Sequence, residues 1–231
     1  MRIGILQTGH VDARLAAANN DYDVMFELLL RAGGFEFSSF DVERGVAPES
    51  PQQCDGWLVT GSAHGVYEDH AWISVLEAFI RDCADSGRPM VGICFGHQIM
   101  AQAMGAKVEK FAGGWRVGRQ RYQLSGANGR EQERFLLAMH QDQVLTVPRG
   151  ASVFGQGEGC EIAALRFANW GWSIQPHPEF DVDFIRQLIG IRRGAVIAED
   201  IAATALQSLD GPLHRFEIAA EIVEFFKLRG S

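Results

Sequence analysis

Residues 89–100 (PMVGICFGHQIM) constrain the fold of this chain more than any other stretch. The apolar run 89–93 predicts a buried strand and a helical pattern follows it, so the chain must turn sharply at Cys94. Gly92 and Gly96 flank that turn, and small residues there allow a helix to pass close to the strand. A thiol at such a corner faces the positive end of the helix dipole and free backbone N–H groups, which makes it a candidate nucleophile with oxyanion donors beside it. The alternative is a buried, inert cysteine in an ordinary strand–turn–helix connection.

Length and composition favour a single domain with a substantial core. The chain has 231 residues, 47% of them hydrophobic, and no compositional break divides it. We therefore expect one domain over residues 1–231, with residues 190–231 as a C-terminal helical extension. The formal net charge of −8 argues against a nucleic-acid surface and favours a small neutral or zwitterionic substrate.

The other three cysteines carry no sign of a metal site or a disulfide framework. Cys54, Cys83 and Cys160 are widely spaced, with no C-x-x-C pair and no histidine at metal-ligand spacing. We expect them to be packing residues, and we expect neither a metal nor a cofactor. The sequence shows no secretory leader and no apolar run long enough to cross a membrane, so we expect a cytosolic protein with reduced thiols and no membrane partner.

The pattern of apolar runs predicts an α/β fold, with a mostly parallel central sheet between helical layers and an antiparallel extension. Short strands alternate with helical patterns through the first hundred residues, as in a parallel sheet. Residues 107–124 alternate apolar and polar residues around Gly113 and Gly114, which predicts an antiparallel hairpin. Further strands are predicted at 134–139, 143–147, 152–155, 161–167 and 171–175, followed by helices at 180–192, 198–209 and 212–228. These last helices could dock a partner, form a homodimer surface or cap the sheet.

A base for the thiol is predicted at the end of the last strand. Pro176 and Pro178 hold the backbone around His177 extended, and residues two apart in an extended segment point the same way. His177 can therefore act as a base that Glu179 orients.

The remaining histidines are weaker candidates for that role. His97 lies in the helix that leaves the turn, so we expect a packing role for it. His140 is equally consistent with a substrate contact and with a structural role. Three histidines in the first half of the chain and one near its end show no carboxylate partner in a rigid turn: His10, His64, His70 and His214.

A second turn can supply an oxyanion donor opposite Cys94. The predicted strand 56–60 ends in Gly61 and Ser62, and a strand end rich in small residues can present a backbone N–H to the same site. A plain strand-to-helix turn is the alternative reading, and Gly61 alone does not decide between them.

These motifs together resemble the class I (triad) glutamine amidotransferases. The turn at 92–98, the segment 176–179 and the Gly61–Ser62 turn match that family's signatures in the right order, over about residues 1 to 190. The resemblance implies a flavodoxin-like three-layer fold. It also implies roles for individual residues: Cys94, His177 and Glu179 as the catalytic triad, Gly61 and Phe95 as backbone oxyanion donors, and Gln98, Ser62, His140 and Gln141 as substrate contacts.

Within that family the chain is similar to stand-alone members, the GMP-synthase-like proteins and γ-glutamyl peptidases. The similarity lies in residues 21–26, 60–62, 114–118 and 140–142. No phosphate-cradling glycine-rich loop followed by lysine is present, so an ATP-using synthetase domain is not expected within this sequence. The resemblance implies hydrolysis of a glutamine or γ-glutamyl amide without a cofactor.

Two other functions stay open. The protein could donate ammonia to a separate synthetase subunit, or it could be a catalytically silent sensor or interaction protein of the same fold. DJ-1-like proteins also carry a cysteine at a strand–helix turn, but that resemblance lacks the His-Pro-Glu segment.

Overall fold

The fold is organised around a nine-stranded sheet in a computed structural model that describes residues 1–126 and 129–229. The strands follow the order β2-β1-β3-β4-β11-β10-β9-β6-β7. Neighbours from β2 to β11 in this order are parallel, and neighbours from β11 to β7 are antiparallel. The nine strands are β1 (Arg2–Gln7), β2 (Glu36–Asp41), β3 (Gly56–Val59), β4 (Met90–Ile93), β6 (Arg116–Ser125), β7 (Glu131–His140), β9 (Ala151–Gly157), β10 (Cys160–Phe167) and β11 (Gly171–Ile174). The predicted mostly parallel sheet with an antiparallel extension is thus confirmed.

Six α-helices within residues 1–126 and 129–229 cover the two faces of this sheet. They are α1 (Tyr22–Leu29), α2 (Ala71–Ser86), α3 (Phe95–Ala103), α4 (Val182–Arg192), α5 (Glu199–Gln207) and α6 (Arg215–Arg229). Successive residues of a strand point to opposite faces, and because helices cover both faces, β3, β4 and β11 are buried at every position. Trp57 and Met90 accordingly pack with α2 and α3, whereas Leu58 and Val91 pack with α1 and α6 on the other face.

The C-terminal helices cap the sheet, one of the three roles left open by the sequence. Phe226 of α6 is fully buried and packs in the same core as Ile3 of β1. Ala205 of α5 packs with Val117 of β6. Gly230 and Ser231, the last two residues of the predicted extension, lie outside the described residues.

The hairpin predicted over residues 107–124 is wrong. Strand β5 (Val108–Lys110) pairs antiparallel with β8 (Asp142–Val144) in a separate two-stranded sheet, while β6 pairs with β7 and β9. Gly114, with φ of +82°, turns the chain from one sheet to the other instead of closing a hairpin. Alternating polarity identifies a strand but leaves its pairing partner open, because that partner is distant in sequence.

Three strand ends meet at one place on the sheet. Val59 lies opposite Gly92 in the parallel pairing of β3 with β4, and Ile93 lies opposite Ile174 in the pairing of β4 with β11. The segments that follow these strands therefore leave the sheet side by side at its carboxyl edge, where α/β folds place their ligands.

None of the helices in the described part of the chain has the length and apolar character needed to span a bilayer.

Candidate active site

Cys94 occupies a strained corner between β4 and α3. Its φ of 53° and ψ of −102° lie outside the regions that L-residues ordinarily adopt, and the side chain is 5% exposed. A Cβ on Gly92 would lie 2.5 Å from the carbonyl oxygen of Gly96, and one on Gly96 would lie 2.4 Å from the carbonyl oxygen of Val59. The expectation that both flanking residues must be small is confirmed.

The thiol also receives a polar contact that the sequence reading missed. The Gln175 side-chain amide donates to Cys94 Sγ at 3.5 Å. Gln98 Nε2 in turn donates to Gln175 Oε1 at 3.1 Å and to the Asp142 carbonyl at 2.8 Å. Gln175 precedes His177 by two residues in an extended segment, a spacing that could have indicated a side chain on the same side. The contact joins the thiol to the segment that carries His177.

His177 and Glu179 form a buried pair beside the thiol. His177 Nδ1 lies 2.7 Å from Glu179 Oε1, and the two residues are 5% and 4% exposed. The backbone N–H of His177 donates to the Leu137 carbonyl, and the imidazole ring of His177 stacks on Phe180 with the ring centroids 4.1 Å apart. These contacts fix the direction in which the imidazole points.

Electrostatics favour the protonated form of His177. Burial alone lowers the pKa of His177, but the negative charges of Cys94 and Glu179, and hydrogen bonds to both, raise it to about 10. A histidine in that state is an imidazolium at neutral pH and can give a proton to a leaving group.

The backbone of Gly61 lies next to the side chains of His177 and Cys94. A Cβ on Gly61 would lie 3.1 Å from His177 Cε1 and 3.9 Å from Cys94 Cβ. Thr8, which the sequence reading did not single out, holds this turn by donating from Oγ1 to the carbonyls of Thr60 and Gly61 at 3.0 and 3.1 Å. Across the site, the Phe95 N–H occupies the first position of α3, which has no intrahelical acceptor.

The expected substrate contacts surround a single cavity of about 280 Å³ that opens on Cys94. Four of the predicted residues line it, namely Ser62, Gln98, His140 and Gln141. His140 Nδ1 donates to the Asp142 carbonyl at 3.1 Å, and its buried Nε2 has no hydrogen-bond partner among the described residues. Burial lowers the pKa of His140 to about 3, so its ring is neutral and Nε2 is a bare acceptor.

His97 has the packing role predicted for it. It is fully buried, with Nδ1 at 2.8 Å from Ser173 Oγ and Nε2 at 3.0 Å from the Ile162 carbonyl. Burial lowers the pKa of His97 to about 4.

The prediction that three other histidines lack a carboxylate partner is wrong. His10 lies 2.6 Å from Asp21, and His64 and His70 each lie 2.9 Å from Glu68. They do have carboxylate partners, which long-range folding and loop conformation bring to them. His214 instead accepts a hydrogen bond from the Phe135 N–H.

The cysteines other than Cys94 are buried and unlinked, as predicted. Burial raises the pKa of Cys54 and Cys83 and brings that of Cys160 to about 12. Their thiols therefore stay protonated and inert.

A third residue outside the sequence motifs is Arg215, at the start of α6. Its Nε donates to the Pro178 carbonyl at 3.0 Å and its Nη2 to the Glu179 carbonyl at 2.9 Å. The C-terminal extension thus holds the backbone that carries the His177–Glu179 pair.

Comparison with known proteins identifies the family. Residues 30–184 match the glutamine amidotransferase class-I family profile. The chain is 29% identical to a glutamine amidotransferase-like protein of Schizosaccharomyces pombe, over 96% of this chain and 97% of the relative. It is 28% identical to gamma-glutamyl peptidase 4 of Arabidopsis thaliana, over 82% and 80%. It is 30% identical to a GMP synthase of Streptococcus pyogenes over 54% of this chain but only 24% of that enzyme.

Solved structures agree on the fold. A glutamine amidotransferase of Methylobacillus flagellatus superposes with a TM-score of 0.78 at 21% identity, covering 99% of this chain and 93% of that one. A glutamine amidotransferase of Thermotoga maritima also gives a TM-score of 0.78, at 18% identity, over 100% and 98%. This chain belongs to the class-I glutamine amidotransferase family.

Proposed function

We propose that this protein hydrolyses the amide of glutamine or of a γ-glutamyl compound through a thioester on Cys94. The arrangement that carries the proposal is the buried His177–Glu179 pair beside a thiol that lies in a strained turn and lines one cavity. A nucleophile, a base and a group that orients the base are the three parts that such chemistry requires.

In the proposed first step, Cys94 Sγ attacks the γ-carboxamide carbon, and the backbone N–H groups of Gly61 and Phe95 stabilise the oxyanion. The carbon–nitrogen bond then breaks as the imidazolium of His177 gives its proton to the departing nitrogen, which leaves as ammonia or an amine. In the second step, His177 takes a proton from water, the resulting hydroxide attacks the thioester carbon, and the carbon–sulfur bond breaks. The free carboxylic acid leaves, and the thiolate of Cys94 is restored.

Roles for the cavity side chains follow from their free hydrogen-bonding groups. Nε2 of His140 is a bare acceptor and suits a substrate N–H donor, and the other proposed contacts are Gln98, Ser62 and Gln141. Gln98 has both a substrate role and a structural one in this scheme, because its Nε2 already bonds within the protein.

A stand-alone γ-glutamyl hydrolase is the better-supported version of this activity. Relatives named gamma-glutamyl peptidases align over 72–81% of their length, whereas the GMP synthase relative aligns over 24% of its own. We further infer that residues 1–231 act as one domain, with α5 and α6 as its integral cap. A cytosolic location is also proposed, because all four cysteines are unlinked thiols.

The test is a screen of purified protein against glutamine, γ-glutamyl peptides and γ-glutamyl amines, with release of ammonia or amine and of the free acid as readouts. Cys94→Ala is expected to abolish turnover, and Cys83→Ala is a matched control because Cys83 is a buried thiol remote from the cavity. Full activity in Cys94→Ala would overturn the mechanism.

Two alternatives give different results in the same experiments. A silent interaction protein would show no turnover, and Cys94 would not be alkylated by an electrophilic glutamine analogue. An ammonia-donating subunit would show negligible glutaminase activity alone and a rise when a candidate synthetase subunit is added. A homodimer surface stays a prediction that sedimentation would test.

A further inference from the structure

The loop between β3 and α2 gathers two histidines and a carboxylate beside the cavity. His64, Glu68 and His70 each offer one ligand atom, and these atoms all lie within 4.8 Å of one another. Glu68 Oε2 is 2.9 Å from His64 Nδ1 and 2.9 Å from His70 Nε2. The three side chains are 31%, 41% and 40% exposed, so an ion from solvent can reach them.

A neutral His64 imidazole cannot donate a hydrogen bond to both of the carboxylates beside it. His64 has a carboxylate at each ring nitrogen, with Glu43 Oε1 3.2 Å from Nε2 and Glu68 Oε2 2.9 Å from Nδ1. A neutral imidazole has one N–H, so it can donate to only one of them. If Nε2 donates to Glu43, the lone pair of Nδ1 faces an acceptor oxygen of Glu68. A proton or a metal ion between Nδ1 and that oxygen removes the conflict. His70 Nε2 meets the same oxygen at 2.9 Å, so a metal ion can bind all three groups at once.

The surroundings of the group are those of a metal centre. Histidine ligands of metals usually donate their second ring nitrogen to a carboxylate, which fixes the tautomer and the ring orientation, and Glu43 is placed to accept from His64 in that way. The free oxygen of Glu68, Oε1, accepts the Gly65 N–H at 2.9 Å. The ring of His70 stacks on Trp72 at an interplanar angle of 13°. Each of the three side chains thus has a contact with a residue outside the group, which restricts its orientation.

We propose that His64, Glu68 and His70 form a binding site for a divalent transition metal, Zn²⁺ being the ion that two imidazoles and one carboxylate suit best. Three protein ligands leave a fourth position of a tetrahedral ion open. Because His64 and Glu68 also line the cavity that contains Cys94, the bound ion fixes this loop and adds positive charge to the cavity wall. The site is independent of the amide hydrolysis proposed above, and the sequence reading, which expected no metal, did not anticipate it.

A neighbouring group fits such an ion less well. His10, Asp41 and Glu43 also bring three ligand atoms within 4.8 Å of one another, but they offer only one imidazole. Because Glu43 contacts both His10 and His64, the test must separate the two groups.

The experiment is a calorimetric titration of chelator-stripped protein with Zn²⁺ alone, in the Cys94→Ser background so that the thiol in the same cavity cannot bind the ion. We expect one equivalent to bind and to raise the Tm by several degrees. His64→Asn with His70→Asn should lose this binding, Glu43→Gln should weaken it about 10- to 100-fold, and His10→Asn should retain it. Co²⁺ serves as a spectroscopic probe, with visible absorption bands expected for a tetrahedral site.

Several results would overturn the proposal. They are absence of Zn²⁺ binding to the Cys94→Ser protein, unchanged binding in the double histidine variant, and loss of binding in His10→Asn with retention in the double variant. Binding by wild-type protein that disappears in Cys94→Ser would assign the ion to the thiol instead. Circular dichroism of each stripped variant shows whether it is folded, and the single variant His70→Asn replaces the double one if that protein fails to fold.

Discussion

The guanidinium of Arg215 donates a 2.9 Å hydrogen bond to the backbone carbonyl of Glu179. A second bond, of 3.0 Å, reaches the carbonyl of Pro178. Arg215 stands at the start of α6, in the segment that the sequence assigned to an extension beyond the family motifs. This helix therefore reaches the backbone of the proposed catalytic pair as well as capping the sheet.

Replacing Arg215 should impair the rate of the reaction more than substrate binding. Without the clamp, the 178–179 backbone can shift, and a small displacement of a catalytic group costs about 10- to 100-fold in rate. We expect Arg215→Ala to lower kcat by that factor with little change in KM, and Arg215→Lys to restore part of it. Steady-state kinetics on the best substrate of the screen measure both parameters.

Arg119 supplies the matched control for this prediction. Its Nε donates to the Pro212 carbonyl at 3.0 Å, so it ties down the same C-terminal segment without touching the catalytic pair. An equal loss of kcat in Arg119→Gln would show that general loosening of the segment, and not positioning of Glu179, is responsible.

Removing the charge of Glu179 should move the pH dependence of activity. Burial lowers the pKa of His177, whereas the charges of Cys94 and Glu179 raise it to about 10. Glu179→Gln removes one of the raising influences, so the pKa falls and the imidazolium is lost at a lower pH. The alkaline limb of kcat/KM should therefore move to lower pH, and the rate should fall about 10²- to 10⁴-fold.

The measurement is a pH profile of kcat/KM, with thiolate absorbance in the ultraviolet as a second readout. Glu36→Gln is the control, because that carboxylate is exposed on the surface strand β2. An alkaline limb that stays in place in Glu179→Gln would contradict the charge assignment.

A methyl group at Gly61 should damage the site while sparing the fold. The added Cβ would lie 3.1 Å from His177 Cε1, close enough that the imidazole must move by a few tenths of an ångström. We expect Gly61→Ala to lower kcat at least about 10-fold. Gly190→Ala is the control, since its Cβ meets nothing within 4 Å and it lies in α4, where alanine is favoured by about 0.5–1 kcal/mol. Full activity in Gly61→Ala would show that the imidazole tolerates the displacement.

The strain at Cys94 predicts an inverted order of stability between two variants. At φ of 53°, glycine avoids a cost of about 1 kcal/mol or more that any L-residue incurs. Cys94→Gly should therefore be more stable than Cys94→Ala in urea unfolding, and both variants are expected to be inactive. The same pair at Cys83, inside α2, should show the ordinary order, with alanine more stable by about 1 kcal/mol. Equal stability of the two Cys94 variants would mean that the turn is not strained.

Local sequence patterns predicted the structure correctly where residues that are close in the sequence are also close in space. The glycines at 92 and 96, the turn at Cys94 and the two-residue spacing of His177 and Glu179 follow from strand and helix geometry, and the structure has them as expected. The parallel order of β3, β4 and β11 then brings the 61, 94 and 177 positions together.

Sequence patterns did not predict contacts between residues that are distant in the chain. The alternation over 107–124 is that of strands, but β5 pairs with β8, and the hydrogen bond from the Phe111 N–H to the Gln141 carbonyl extends that pairing. His10 and His64 have the pattern of polar loop residues, but each also has a distant carboxylate partner: Asp41 of β2 lies 3.2 Å from His10, and Glu43 of the next loop lies 3.2 Å from His64.

The sequence by itself determined the strand–turn–helix that presents Cys94, because its apolar strand must be buried and its two flanking glycines allow a close approach of helix and strand that any Cβ would block. Only the tertiary structure decided what surrounds that thiol: the Gln175 amide on the sulfur, the Arg215 clamp on Glu179, and the His64–Glu68–His70 group at the cavity wall. The physical reason is that hydrogen bonds and charge contacts depend on distances of about 3 Å, which are set by the packing of segments far apart in the chain.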